Sequence, residues 1–247
     1  MKTLIIIPSR LSAKRLPGKP LLKIKGLSVI SHVVKKAKEA NIGDVFVATE
    51  DQEIVDDVKK NGGQAILTSK NHETGTDRIF EALKKLEKRD IELVMNLQGD
   101  EPMIDIQDIQ HLHNQMISNK SKLGTLAANI SDQKSYNKEN IVKVETQESL
   151  KKVKFPSAIN FMRKFVKSSS DKNIYHHLGI YCYEFETLKK FVSLSQSENE
   201  IKNKLEQLRA LDNNININVA LAKVSPIGVD TIEDFVAIKK IMEYKSQ

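Results

Sequence analysis

The chain has 247 residues, 40% of them hydrophobic, and its 39 Lys and Arg outnumber 32 Asp and Glu for a formal net charge of +7. This is enough apolar material for one large globular domain or a domain with an appended lobe. The basic excess suits a phosphate-rich ligand, but the lysines stand mostly in helical runs such as VVKKAKEA and ALKKLEKRD, as on solvated faces, and no RNP-like, helix-turn-helix or arginine-rich segment points to nucleic acid.

Apolar runs and helical periodicity alternate from the N-terminus: strand TLIII, helix SVISHVVKKAKEA, strand DVFVAT, helix DQEIVDDVKKN, a short strand AIL, helix DRIFEALKKLEK and strand LVMNLQ. Such alternation predicts an α/β fold, a mostly parallel sheet sandwiched by helices. Ligands of these sheets bind beyond the carboxyl ends of the strands. One rim therefore carries the loop IPSRLSAKRLPGKPL, the TED at 49–51, ETGTDR and QGDEP. After Asp105 the pattern changes to helix IQDIQHLHNQMI, then LGTLAANI, strand-like NIVKVE and LKKVKF, a polar loop KSSSDKN, and YHHLGIYCYEF. Helix EIKNKLEQLRAL and strand ININVALAKV follow, and GVDTIEDFVAIKKIMEY closes the chain with a helix whose Thr231 and Asp234 match a capping box. No repeat or long linker divides the chain, which reads as a single domain, 1–247, with a middle third that completes a site made by the first. The single Cys182 excludes an intrachain disulfide and a cysteine-only zinc site, as in a reducing cytoplasm. The N-terminal apolar run, Leu4 to Ile7, is too short for a signal-peptide core, and no apolar segment approaches the length of a membrane span.

The opening loop is neither a Walker motif, since Pro20 follows Gly18 and Lys19, nor a dinucleotide fingerprint, since no Gly-x-Gly-x-x-Gly occurs. Arg10, Arg15 and Lys19 can nevertheless converge on a phosphate, with the backbone around Gly18 open to close approach; alone, the loop could equally be a surface turn. Asp100 and Glu101 follow a strand at the same rim, and Asp230 follows a strand-like stretch near the C-terminus. Carboxylate oxygens are the ligands magnesium prefers, usually one or two of them with substrate phosphate. Each aspartate singly fits a helix cap as well as a metal ligand; their joint occurrence with a cationic loop is what indicates a metal–phosphate site. In HETGTDR, Thr74 and Thr76 are candidate caps, and Gly75 lets a flat base or ribose lie against the backbone. His111 and His113 do not share a helix face, no Ser-His-Asp or Cys-His arrangement is evident, and Cys182 alternates with core positions.

In order, IPSRLSAKRLPGKPL, VATED, GGQAILTSKNHETGTDR, NLQGDEPMI, HLGIYCY, LEQLRAL and VDTIEDF resemble the CMP-Kdo synthetases, the 3-deoxy-manno-octulosonate (Kdo) cytidylyltransferases of lipopolysaccharide synthesis, over nearly the whole chain. The resemblance implies a Rossmann-like nucleotide-diphospho-sugar transferase fold, with residues 130–215 as a sugar-binding and dimerisation lobe. It implies a cytoplasmic homodimer that transfers CMP from CTP to an acidic eight-carbon sugar with Mg²⁺, giving CMP-Kdo and pyrophosphate, with no nucleic acid and no membrane insertion. Carried over by position, Arg10 and Lys19 hold the CTP phosphates with Arg15 nearby, and Asp100 and Asp230 bind magnesium; Arg10, Lys19, Asp100 and Asp230 form the catalytic set. Thr74, Gly75 and Arg78 lie near the cytidine. Gln98, also on the nucleotide side, lines the sugar pocket with His177, Tyr181, Glu206 and Gln207.

The family usually reads Phe-Ser-Arg-Ala, followed shortly by Ile-Pro, where this chain has KFPSAINFMRK, so Ser157 replaces the arginine expected beside the sugar carboxylate. A hydroxyl does not reproduce a two-pronged guanidinium contact. Either Lys154, Arg163 or Lys164 takes over, or the acceptor is another acidic sugar such as 8-amino-Kdo or a different ulosonic acid. Two readings from other classes are a non-catalytic nucleotide or nucleic-acid binder, which the pair Asp100 and Asp230 argues against, and a related glycosyltransferase, whose usual Asp-x-Asp motif is missing from GDEPMID.

Overall fold

The computed structural model describes residues 2–13, 15–87, 90–130, 136, 138–164, 173–225 and 227–244. Of the expected polar loop KSSSDKN, all but Asn173 lies outside the described residues. The chain divides into two compact units, Met1–Ile109 with Pro226–Gln247, and Gln110–Ser225.

In the first unit, β1 (Thr3–Ser9) leads through a hairpin, β2 (Lys23–Ile24) and β3 (Leu27–Ser28), to α1 (Val29–Glu39), β4 (Asp44–Thr49), α2 (Gln52–Lys60), β5 (Ala65–Leu67), α3 (Gly75–Leu86) and β6 (Leu93–Asn96). The strands of its sheet run β6-β1-β4-β5, all parallel. Leu4, Ile5, Ile6 and Ile7 are wholly buried, because a strand inside a parallel sheet loses both faces to solvent; the unbroken apolar run reflects that. Helix α1 is capped by Ser28, whose hydroxyl accepts from Ser31 N at 3.2 Å, and it buries Val29, Ile30, Val33, Val34 and Ala37 along one face.

The chain enters β4 through Gly43, packed so closely on β1 that a Cβ there would stand 2.0 Å from the Thr3 carbonyl oxygen and 2.7 Å from its carbon. Both are backbone atoms and cannot rotate away. Gly43→Ala is therefore expected to destabilise the protein by about 3 kcal/mol, the upper range for overpacking. Urea denaturation checks this, and an unchanged midpoint contradicts it.

A smaller apolar cluster organises the rim. Ile24, Val29, Val229 and Ile238 are buried together, with Leu16, Leu22, Met103, Phe235 and Met242 packed on them. Leu16 belongs to the cationic loop, Met103 to the segment after β6, and Val229 to the segment before the last helix, α8 (Ile232–Tyr244). One cluster thus seats all three. The expected cap of α8 is present and reciprocal, with Thr231 N donating to Asp234 Oδ2 at 3.0 Å and Asp234 N to Thr231 Oγ1 at 3.2 Å.

Helix α4 (Ile106–Asn119) carries the chain into the second unit, whose strands are β7 (Leu123–Ala128), β8 (Lys143–Thr146), β9 (Ala158–Met162), β10 (Ile174–Glu184) and β11 (Asn218–Leu221). Their order is β11-β7-β10-β8-β9, and only β11 and β7 pair in parallel. Helix α5 (Phe185–Ser193) follows β10.

Two expectations change here. LKKVKF is not a strand: Lys152 N and Val153 N both donate to Ser149 O at 2.9 Å, closing a turn, and Val153 is 40% exposed. The strand comes later, as β9, where Ala158 and Phe161 supply a buried face. EIKNKLEQLRAL is not one helix but two, α6 (Glu198–Asn203) and α7 (Leu208–Asp212), separated where Lys204 turns left-handed at φ 53. The break lets Arg209 fold back on Glu200: Arg209 Nε lies 2.8 Å from Oε2 and Nη2 2.6 Å from Oε1.

Candidate functional site

Beyond β1, Leu11 N donates to Asp51 Oδ2 at 2.7 Å and Gly18 N to Leu11 O at 3.0 Å, so the segment after β4 pins the start of the loop and the loop closes on itself. Gly18 sits at φ 72, in the left-handed region that glycine enters without strain, and begins the 3₁₀ turn Lys19–Leu21. The result is a cavity of about 430 Å³ in the first unit. Arg10, Arg15, Lys19, Thr74, Gly75, Arg78, Gln98, Asp100 and Asp230, which the sequence assigned to nucleotide and metal, all line it.

Asp100 and Asp230 lie far apart in sequence but meet because Val229 N donates to Asp100 O at 2.8 Å. Both reach Lys19: its Nζ lies 2.5 Å from Asp100 Oδ2 and 3.5 Å from Asp230 Oδ1, while Arg15 Nη2 is 2.9 Å from the same Asp230 oxygen. Arg10 makes no ion pair among the described residues. Two carboxylates converging on one cation have the oxygen donors and spacing to share a small hard divalent ion whose remaining ligands come from phosphate and water. Among the described residues there is no group of three or more His, Cys, Asp or Glu that could hold a metal by itself.

Glu101, beside them, is placed at the rim by the sequence together with Asp100 but given no role there. One of its carboxylate oxygens is buried without a hydrogen bond. Burial, and then the charges of Asp100 and Asp230, push its carboxyl up to about 8. Nothing in GDEP distinguishes this residue from a solvated acid; the signal is purely tertiary.

At the other side of the cavity, Thr74 caps α3, accepting from Asp77 N at 3.2 Å and donating to Asp77 Oδ2 at 2.7 Å, whereas Thr76 is buried inside the helix. A Cβ on Gly75 would touch Pro8 Cγ at 3.4 Å, so the helix start packs against the end of β1. Arg78 is 4% exposed, and its guanidinium donates to Thr68 Oγ1 at 2.7 Å, to Ser69 O at 3.2 Å and to Glu50. It braces the wall from behind. Its partner Glu50, in the TED segment, is a supporting residue that the sequence placed at the rim without a role.

In the second unit, β10 bulges between Leu178 and Tyr181, and the buried Thr125 hydroxyl fills the irregularity, donating to Ile180 O at 2.6 Å and lying 3.1 Å from His177 Nε2. His177 packs edge-on against Phe161, ring centroids 4.9 Å apart, and tilts over Tyr181 at 5.5 Å. Burial, then neighbouring Tyr183 and Glu206, drives the Tyr181 hydroxyl well above its usual range. His177, Tyr181 and Glu206 therefore form one cluster, with Gln207 buried next in sequence.

Burial, with His176 adding a second cation, pulls the His177 ring down to about 3. The ordinary value in an unfolded chain is about 6.5, so between those limits the unfolded state binds a proton that the folded state refuses. Stability is full above pH 6.5 and falls as the pH drops towards 3. Urea midpoints from pH 7 to 4 should fall less steeply for His177→Gln than for the native protein; parallel curves would contradict this.

Of the cations considered in place of the arginine at Ser157, Arg163 is committed: Nε donates to Asn203 O at 3.1 Å, Nη2 to Lys204 O at 3.0 Å and Nη1 to Glu139 O at 3.3 Å. Lys164 lies 3.3 Å from the Glu139 carboxylate, and Lys154 is exposed with no ion pair among the described residues.

A parallel α/β sheet with a cationic loop and paired carboxylates beyond the carboxyl ends of its strands defines a nucleotidyltransferase. The cytidylyltransferase family model matches residues 4–217. The chain is 41% identical over 245 residues to the 3-deoxy-manno-octulosonate cytidylyltransferase of Afipia carboxidovorans, covering 97% of this chain and 96% of that one. It is 42% identical over 251 residues to the enzyme of that name from Thermodesulfovibrio yellowstonii, covering 98% of each. A solved structure of CMP:2-keto-3-deoxy-manno-octonic acid synthetase complexed with CTP superposes with a TM-score of 0.89 at 34% identity, over 99% of this chain and 100% of that one. The chain belongs to the 3-deoxy-manno-octulosonate cytidylyltransferase family.

Proposed function

We infer that the protein transfers CMP from CTP to the anomeric hydroxyl of Kdo, releasing pyrophosphate. The observation that carries this is Lys19 held between Asp100 and Asp230 in a cavity that Arg10 and Arg15 also line. Arg10, Arg15 and Lys19 bind the triphosphate through charge-assisted hydrogen bonds, and Thr74, Gly75, Arg78 and Gln98 flank the nucleoside. Asp100 and Asp230 would hold magnesium, which would neutralise charge on the phosphates when bound. The anomeric oxygen attacks the α-phosphorus in line and the pyrophosphate oxygen leaves, so the protein contributes mainly positioning and fixed charge, with no covalent enzyme intermediate. His177, Tyr181, Glu206 and Gln207 are the sugar-contacting residues of the second unit, and residues 130–215 form the contact of a homodimer acting in the cytoplasm. No helix among the described residues is long and apolar enough to cross a membrane.

The second reading, another acidic sugar as acceptor, is favoured by Ser157 together with the committed guanidinium of Arg163. Phosphorus NMR with Kdo labelled with ¹⁸O at the anomeric hydroxyl tests the chemistry. The label must appear in the bridge of a new sugar–CMP diester; label left in unreacted sugar while CTP is consumed would rule the attack out.

A further inference from the structure

His72 lines the same cavity as Arg10, Lys19 and Gly75, its side chain 15% exposed, and the reaction so far gives it no part. Its Nε2 bonds to the Glu81 carboxylate. Ser69 N lies 3.0 Å from both Glu81 oxygens and Lys85 Nζ 2.8 Å from Oε1. Burial pushes the Glu81 carboxyl up, but Lys85, Ser69 and His72 outweigh it and hold it down at about 2. An ionised carboxylate only accepts hydrogen bonds, so Nε2 is the donor to Glu81, and in the tautomer that carries its one proton there Nδ1 is an acceptor. Nothing else bonds the ring among the described residues.

The other polar groups on this side of the cavity are occupied. Arg78 is held by Glu50, Thr68 and Ser69, and the Thr74 hydroxyl by Asp77. Asp100 and Asp230 face Lys19 and Arg15. Among the described side chains flanking the α3 start, His72 Nδ1 and the exposed carboxylate of Glu73 offer acceptors to the cavity.

We propose that His72 reads position 4 of the pyrimidine: Nδ1 accepts a hydrogen bond from the exocyclic amine of cytosine and opposes the lone pairs of the uracil carbonyl, and Glu81 is the positioning residue that fixes the ring in this tautomer. The proposal rests on the reading of the cavity as the CTP site. A ring anchored through Nε2 discriminates because the wrong base leaves two acceptors facing each other.

The test is pyrophosphate release by the full-length protein with Kdo and Mg²⁺, comparing kcat/KM for CTP and UTP. His72→Phe should lower the CTP:UTP ratio by about 10-fold or more. Glu81→Gln, whose amide can donate to Nε2 and so move the ring proton to Nδ1, should lower it with His72 intact, while Glu73→Gln leaves it unchanged. A readout free of any variant is the affinity of the native protein for the triphosphate of 2-pyrimidinone riboside, which carries only hydrogen at position 4; it should bind about 10-fold or more weakly than CTP. An unchanged ratio in His72→Phe, a ratio that collapses only in Glu73→Gln, or equal affinity for the pyrimidinone analogue overturns the proposal. A native protein that neither binds CTP nor releases pyrophosphate overturns the cytidylyltransferase reading instead.

Discussion

Asp100→Asn lowers turnover by about 10²-fold or more and leaves the fold intact. The two halves of that expectation have different physical sources. Asp100 is partly exposed, 28% for its side chain, so its pair with Lys19 contributes little to folding, about 1 kcal/mol or less for an exposed ion pair. In the reaction, the asparagine keeps the shape and one oxygen but withdraws the charge that Lys19 meets and that a metal would meet under the proposed function. Lys19 Nζ is then left with Asp230 at 3.5 Å, a contact the latter already shares with Arg15. Charge is what the transition state of phosphoryl transfer needs fixed in place before the substrate arrives. The check is steady-state pyrophosphate release together with thermal unfolding of the same preparation. Wild-type turnover removes Asp100 from the metal site, and a collapsed melting transition makes the residue structural.

The second large effect is on stability. Arg209 and Glu200 are 3% and 4% exposed, and Glu200 is bonded on every side: Oε2 accepts from Arg209 Nε at 2.8 Å and Ser197 N at 3.2 Å, and Oε1 from Arg209 Nη2 at 2.6 Å and Gln196 Nε2 at 3.2 Å. The Arg209 guanidinium also lies over the Phe191 ring, 4.8 Å from its centroid. Removing one partner of a buried pair strands the other charge away from water, which costs about 3–5 kcal/mol. Arg209→Leu is expected to lose that much in denaturant unfolding. The double variant Arg209→Leu, Glu200→Leu should lose less than the two single changes summed, because no charge is left stranded. A loss below about 1 kcal/mol in Arg209→Leu would mean the pair is solvated in solution.

Much of this was legible in the sequence because it is local. DVFVAT and AIL become β4 and β5 at the residues expected, since each is an apolar run bounded by polar or glycine residues; β4 is buried on both faces, whereas β5 is the edge strand and leaves Leu67 46% exposed. The cationic loop and the two aspartates were legible as residue types that share one chemistry. LKKVKF failed because Val153 has no buried face to join, and EIKNKLEQLRAL failed because a helix-compatible period hid the left-handed turn at Lys204 that lets Arg209 pair with Glu200. What the sequence could not carry was pairing across distance. Arg78 reads as a free cation for nucleotide but is tied to Glu50 and Thr68, Glu101 reads as one more acid but is buried beside two others, and His72 gains its direction only from Glu81. Each depends on a side chain brought in by another element, and no periodicity records that.

Pyrophosphate release from CTP and Mg²⁺, measured in parallel with Kdo, with 8-amino-Kdo and without acceptor, tests the central claim most directly. Release that depends on Kdo is the predicted result, and it would mean that the loss of arginine at Ser157 is compensated. CTP binding with no release from any acceptor would contradict the assignment and leave a nucleotide-binding protein without this catalysis.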